Sequence, residues 1–343
     1  MAQNSENLKE ALLYAKLDGD KVQCNLCGWR CMISDGSMGR CMVRQNIGGT
    51  LYSLNYHKLC AAGADPIEKK PMFHFQPSTK SFSIAAAGCN FKCQFCQNFE
   101  ISQADEGGIA GRDISPESVV ALAVKSGCKS IAYTYTEPTV FMEIANDCGQ
   151  LARDAGLKNV FVSNGFMTKE AIDLASGWLD AINIDLKSFS EDYYENLCRA
   201  KLQPVLDTIE YIAANTDIWM EITTLIVPGE NDSEDELRSI AEFIVKRCGP
   251  DTPWHISRFY PQYHYTESVP TPTAVLQKAE SIAKQAGLRY VYTGNVRSAR
   301  GENTYCQNCE KLLIKRQGFY VAANNIENGK CPDCQTKIAG VEM

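Results

Sequence analysis

No stretch of about 20 consecutive apolar residues occurs in this 343-residue chain, so no membrane-spanning helix is expected. Positive charge is in deficit. Lys and Arg number 34 against 41 Asp and Glu, giving a formal net charge of −7. That balance excludes a general basic footprint for nucleic acid, and the lone pair Lys69-Lys70 reads as solvated surface. Met1 to Glu10 is polar and acidic and lacks the apolar stretch of a secretory signal. Cysteine, by contrast, is plentiful at sixteen residues. Three separate groups have metal spacing, and no secretory signal accompanies them, so a reducing cytoplasm is expected rather than a disulfide framework. With 45% hydrophobic residues, the length suits one large domain with appendages and a sizeable core.

The organising stretch is Gly88-Cys89-Asn90-Phe91-Lys92-Cys93-Gln94-Phe95-Cys96, directly after a short apolar run from Phe82 to Ala87. Its cysteines stand at C-x3-C-x2-C, with no fourth cysteine close by. Three thiolates can hold three irons of a [4Fe–4S] cube and leave the fourth iron open to a small chelating ligand. A zinc knuckle short of one ligand, or buried structural cysteines, are the competing readings of the spacing. Structural zinc usually closes at four ligands.

From Ser81 onward, apolar runs alternate with helical patterns. Strands are expected at 81–87, 129–135, 158–163, 180–186, 218–226, 253–259 and 288–292. Helices are expected near 115–126, 138–155, 168–177, 202–214, 233–248 and 273–286. Ser115-Pro116-Glu117 and the acidic run from Asp232 to Glu236 are start signals, and Gly127, Gly156, Gly249 and Gly287 are stop signals. Short strands separated by such helices mean βαβ units and a parallel sheet, here an open or nearly closed barrel. Chemistry in such folds gathers where strands end. Polar residues recur there: Thr134-Tyr135-Thr136-Glu137-Pro138, Ser163-Asn164-Gly165, Asp185-Leu186-Lys187, and His255-Ile256-Ser257-Arg258. Phe95, Tyr133, Tyr135 and Phe259 are aromatic residues near the expected strand ends that could close the barrel mouth, with ordinary barrel packing the alternative for each alone.

Both flanks carry cysteine modules. Cys24, Cys27, Cys31 and Cys41, at C-x2-C-x3-C-x9-C, match one four-thiolate site. Zinc, stapling a small module that folds on metal binding, is the preferred reading; a second iron–sulfur cluster is the alternative. Near the C-terminus, Cys306 and Cys309 precede Cys331 and Cys334 by an interval of 21 residues, around a short apolar ribbon. Two such knuckles read as a zinc ribbon with a structural or recognition role. Residues 5–20 are expected to form a short amphipathic helix, with Leu8, Leu12, Leu13 and Leu17 along one face. Leu51 to Leu54 reads as a strand, and 65–71 as a turn-rich connector. His57 and His74 read as hydrogen-bonded structural residues, and Cys128, Cys148, Cys198 and Cys248 as small core residues.

The C-x3-C-x2-C motif with Phe95 before its last cysteine resembles the signature of the radical SAM superfamily. That resemblance implies a partial (β/α)6 barrel and a [4Fe–4S] cluster on Cys89, Cys93 and Cys96. It also implies S-adenosylmethionine (SAM), cleaved after one-electron reduction to give a 5′-deoxyadenosyl radical. Glu137-Pro138, Ser163-Asn164-Gly165 and Asp185-Leu186-Lys187 are similar to motifs of the pyruvate formate-lyase activating enzymes. By that likeness Glu137 holds the SAM amino group, Lys187 its carboxylate, and His255 lies near the adenine or ribose, with Phe95, Ser163, Asn164 and Asp185 in the same pocket. Tyr135-Thr136 stands where those enzymes have two glycines, and Val162 where they have an acid. The segments 65–71, 133–138 and 292–296 resemble the radical SAM proteins of the AmmeMemoRadiSam system, which are associated with two other protein families.

The expected layout is an N-terminal metal module and connector over 1–80, a barrel over 81–300 and a ribbon over 301–343. The expected function is radical modification of a substrate, itself possibly a partner protein, with electrons from flavodoxin or ferredoxin. A glycyl-radical activase is the alternative within that class; a non-catalytic RNA- or protein-binding metal protein is the alternative outside it.

Overall fold

The computed structural model describes residues 8–103, 109–296 and 300–343. Seven parallel strands pair in chain order: Lys80–Ala86, Ser130–Tyr133, Lys158–Ser163, Ala181–Asp185, Trp219–Ile226, Trp254–Arg258 and Val291–Gly294. These strands are buried along nearly their whole length, as a parallel sheet covered on both faces requires. The helices Pro116–Lys125, Met142–Asp154, Lys169–Ser176, Gln203–Asn215, Glu234–Cys248 and Thr273–Ala286 make the crossovers. Their starts follow the sequence signals. Ser115, Thr168 and Ser233 each accept a hydrogen bond from a backbone N–H in the first turn. Gly249 and Gly287 end their helices at φ of 98° and 105°, a region that disfavours any side chain. The expected α/β partial barrel is thus present.

One edge of the barrel was not legible as such. Lys58–Pro66 is a nine-residue strand, antiparallel to Lys80–Ala86, and it extends the parallel array. Its run Cys60-Ala61-Ala62-Gly63-Ala64 is too small and too weakly patterned to signal a strand. Within the connector that follows, Lys70 is 1% exposed and pairs with Asp65 at 2.9 Å. The expectation of solvated surface therefore fails at Lys70, where burial pulls the pKa down to about 8.

The expected helix over 5–20 is absent from the described residues 8–20, while 5–7 lie outside them. Lys9–Glu10 pairs with Thr50–Ser53, and Tyr14–Lys16 pairs with Val22–Cys24 across an Asp18-Gly19-Asp20 turn. Leu13, at φ 55°, breaks any helix there. The backbone groups of Leu12 are also taken by distant side chains: its N–H donates to Glu143 and its carbonyl accepts from Arg44. Tertiary pairing outweighs the leucine periodicity.

The C-terminal residues form the antiparallel set Thr304–Tyr305, Leu312–Gln317 and Tyr320–Asn324. An apolar cluster of Leu313, Ile314 and Ile338 with Phe73, Tyr290 and Tyr292 docks it on the barrel. His74 fastens this contact. Its Nδ1–H donates to the Ala339 carbonyl at 2.6 Å, so its Nε2 accepts from the Tyr292 hydroxyl at 2.6 Å. The ring is fully buried, and burial lowers its pKa to about 4 from 6.5. A depressed folded pKa means stability that is complete above pH 6.5 and is lost as pH falls through 4, on the order of 3 kcal/mol in total. Thermal melts between pH 7 and pH 4.5 should therefore show a steeper loss of Tm for the native chain than for His74→Gln. Parallel curves would remove His74 as the sensor.

Candidate functional site

The cysteine loop leaves the C-terminal end of Lys80–Ala86 through Gly88, at φ 108°. A Cβ there would stand 2.6 Å from the Val43 side chain and 3.3 Å from the Cys41 carbonyl, so the loop is pressed against the N-terminal module. Trp29 Nε1–H donates to the Asn90 carbonyl at 2.8 Å on the same side. From the other side, the N–H groups of Lys92 and Gln94 donate to the carbonyls of Cys198 and Leu197, at 2.9 and 2.8 Å. Loop conformation is thus fixed from both flanks.

Cys89, Cys93, Cys96 and all seven residues expected to bind the cofactor (Phe95, Glu137, Ser163, Asn164, Asp185, Lys187 and His255) line one cavity of about 610 Å³. Tyr135 lines it too, at φ 68°, with its hydroxyl donating to Asp65 at 2.5 Å. Two other expected mouth residues do not face it. Tyr133 packs on Phe161 and Trp178 and donates to Asn159, on the helix side of the sheet. Phe259 is fully buried against Tyr265. Alternation along a strand sends neighbours to opposite faces, which separates Tyr133 from the cavity.

Glu137 is the best anchored group. Its Oε1 accepts from the Thr139 N–H and from the hydroxyls of Thr139 and Ser163, and its Oε2 from the Asn164 N–H at 2.8 Å. Burial raises its pKa, while these donors pull the other way. Lys187 Nζ lies 2.9 Å from Asp185. Burial works against its charge, but the Asp185 carboxylate outweighs that and holds its pKa well above the usual lysine value. Asn164 Nδ2 donates to Asn90 Oδ1 at 2.7 Å and lies 3.8 Å from Cys89 Sγ. Burial is the first cause that raises the Cys89 and Cys96 thiols. For Cys93 the first cause is a hydrogen bond with Cys198, then burial. Three such thiols become good ligands only if a cation compensates their charge, which fits a metal cluster.

Sequence reading missed three features. His255 Nε2 lies 2.7 Å from Glu221 Oε2, a fully buried carboxylate that also takes the N–H groups of Phe73 and His74. Burial would raise the Glu221 pKa, but His255 and the other donors bring it below the ordinary value. An acid inside the apolar run Trp219–Ile226 was the available signal. Cys198 is a buried core residue, as expected, but its place against Cys93, at the end of a π-helical turn, Tyr194–Cys198, had no signal in the sequence. Phe319, from the C-terminal ribbon, lines the same cavity.

The other cysteine groups differ in spacing. Cys306, Cys309, Cys331 and Cys334 bring their sulfurs within 4.8 Å of one another, with 3.5 Å between Cys306 and Cys334 and 3.6 Å between Cys309 and Cys331. That set can hold one metal ion. Cys24, Cys27, Cys31 and Cys41 line a second, smaller cavity together with Arg44. No helix of the described residues is long and apolar enough to cross a membrane.

Comparison with known proteins agrees with this geometry. The family model described as Radical SAM superfamily matches residues 83–244. The chain is 45% identical over 333 residues to an uncharacterized protein of Methanocaldococcus jannaschii, covering 96% of this chain and 99% of that one. It is 24% identical over 262 residues to the GTP 3′,8-cyclase of Limosilactobacillus fermentum, covering 68% and 75%. The solved structure of a radical SAM methyltransferase from Sphaerobacter thermophilus shares the fold at a TM-score of 0.52 and 14% identity, over 66% of this chain and 71% of that one. The non-catalytic reading therefore falls, and the chain belongs to the radical SAM superfamily as a radical SAM enzyme.

Proposed function

We propose that this chain cleaves SAM reductively in the 610 Å³ cavity and uses the radical to modify a second molecule bound toward the rim. The observation that carries the reading is the convergence of three cysteines, one anchored carboxylate and one anchored ammonium on that single cavity. Cys89, Cys93 and Cys96 would hold the cluster. When bound and reduced, it supplies the electron that splits the sulfonium and yields a 5′-deoxyadenosyl radical.

The chain's own residues do the positioning. Glu137 Oε2 takes only one donor and so has a lone pair left, and an incoming ammonium there offsets the burial that disfavours its charge. Lys187, kept cationic by Asp185, meets the SAM carboxylate. His255, turned by its bond to Glu221, borders the nucleoside end. Phe95 and Tyr135 cover the cavity and limit water, which protects a reactive intermediate. A low-potential one-electron donor of the flavodoxin or ferredoxin kind completes the system.

Anaerobic reconstitution followed by dithionite and SAM should give 5′-deoxyadenosine, read by mass spectrometry. Cys93→Ala should lose that product; full activity in the variant would end the assignment. A 3-amino-3-carboxypropyl product would move the cleavage to the other bond. Glu137→Gln keeps shape but not charge, so KM for SAM should rise about tenfold or more; an unchanged KM would take Glu137 off the ammonium.

Glu137-Pro138 and Ser163-Asn164-Gly165 also favour a glycyl-radical activase as a second reading. A doublet EPR signal on a partner enzyme would select it. For the C-terminal four cysteines we propose zinc. Exposure to air should bleach the iron chromophore while about one zinc per chain remains bound. Loss of zinc in step with iron would show that the ribbon is not a separate, closed site.

A further inference from the structure

We infer that Cys24, Cys27, Cys31 and Cys41 hold a second [4Fe–4S] cluster, the alternative to the single zinc ion preferred from the sequence, where spacing alone does not decide. The argument starts from distance. A tetrahedral ion with metal–sulfur bonds near 2.3 Å draws its four sulfurs to about 3.8 Å from one another. The C-terminal set has that form, at 3.5 and 3.6 Å. Among the described residues, it is the only group in which three or more Cys, His or carboxylate ligand atoms lie mutually within 4.8 Å. No three of the N-terminal four meet that limit, although all of them face one cavity. Cys89, Cys93 and Cys96, at the radical site, likewise lie apart rather than mutually within 4.8 Å. A cubane asks for that arrangement, because each thiolate binds a different iron.

The backbone holds the four ligands in place. The Cys24 N–H donates to the Cys31 carbonyl at 2.9 Å, and Cys27 opens a turn closed by the Arg30 N–H at 3.0 Å. Cys41 sits in a turn closed by Met42, at φ 60°. The walls between them are Trp29, Ile33 and Val140, which keep water out.

The second observation is a cation. Arg44 is 1% exposed and lines the cavity, with Nη1 3.8 Å from Cys24 Sγ. Glu143 takes its Nη2, yet Arg44 Nε is buried and has no partner. A buried donor left unpaired is costly, and a sulfide or thiolate of an anionic cluster would satisfy it. Four thiolates on an oxidised cubane leave a net charge of −2, which a guanidinium at this place stabilises.

Iron, sulfide and zinc per chain, with EPR after dithionite reduction, test the inference on the full-length protein. In Cys89→Ala/Cys93→Ala/Cys96→Ala, about four irons and the signal of a reduced cubane should remain, beside about one zinc. Two zinc ions and no iron, or only about two irons, in this variant would overturn it. The complementary Cys24→Ala/Cys27→Ala/Cys31→Ala variant should lose about four irons of the native total; an unchanged iron count would also overturn it. If that variant does not fold, the first still decides. A failure of the radical-site assignment is distinguishable: it would leave the iron content unchanged when Cys89, Cys93 and Cys96 are replaced.

Discussion

The carboxylate of Glu137 is buried at the cavity wall, so donors from the protein must hold most of its charge. Two of those donors come from the end of the next strand, at Ser163 and Asn164. Asn164 then reaches through its side chain to Asn90 and the Cys89 sulfur, and Trp29 holds the Asn90 carbonyl. A continuous polar chain therefore links the second and third barrel strands, the cysteine loop and the N-terminal module. Low dielectric raises the value of each bond in such a network and the cost of breaking one. The cysteine loop owes its shape to this chain and to Gly88, where no side chain fits.

Most of the barrel was legible in sequence because its signals are local. Seven strands and six crossover helices follow from apolar runs, serine or threonine caps and glycine stops. What escaped depends on distant partners. Lys58–Pro66 is a strand because Lys80–Ala86 offers it an edge, and no propensity in its own residues announces that. Leu8 to Leu17 carry a helical period, yet the strand Thr50–Ser53 and the buried pair Arg44–Glu143 claim the backbone there. Lys70 looked solvated beside Lys69, but Asp65 and Tyr135 enclose it.

The candidate site shows the same division. Polar residues at strand ends were visible as a set, and the fold brings them to one cavity. The residues behind them were not visible as a set. Glu221 orients His255 and takes the backbone of Phe73 and His74, while His74 in turn binds Tyr292 and Ala339. This is one buried network running from the cavity wall to the C-terminal tail, built from side chains 74, 221, 255 and 292. No spacing rule joins positions so far apart in sequence.

That network gives the C-terminal ribbon a part in the cavity. Arg316, from the strand Leu312–Gln317, is buried, lies over the Phe73 ring and donates to the Phe73 carbonyl at 2.9 Å. Its Nη1 donates to the Glu302 carbonyl and the Thr304 hydroxyl. The hairpin turn beyond it carries Phe319 to the cavity rim. Four cysteines at single-ion spacing lie at the far end of the same hairpin. The rim is therefore set by how firmly the ribbon holds its shape, while the floor is set by Glu137 and its donors. These are separate supports for separate tasks. The floor is built from the strand ends of the barrel, whereas Phe319 and Arg316 belong to the appended ribbon.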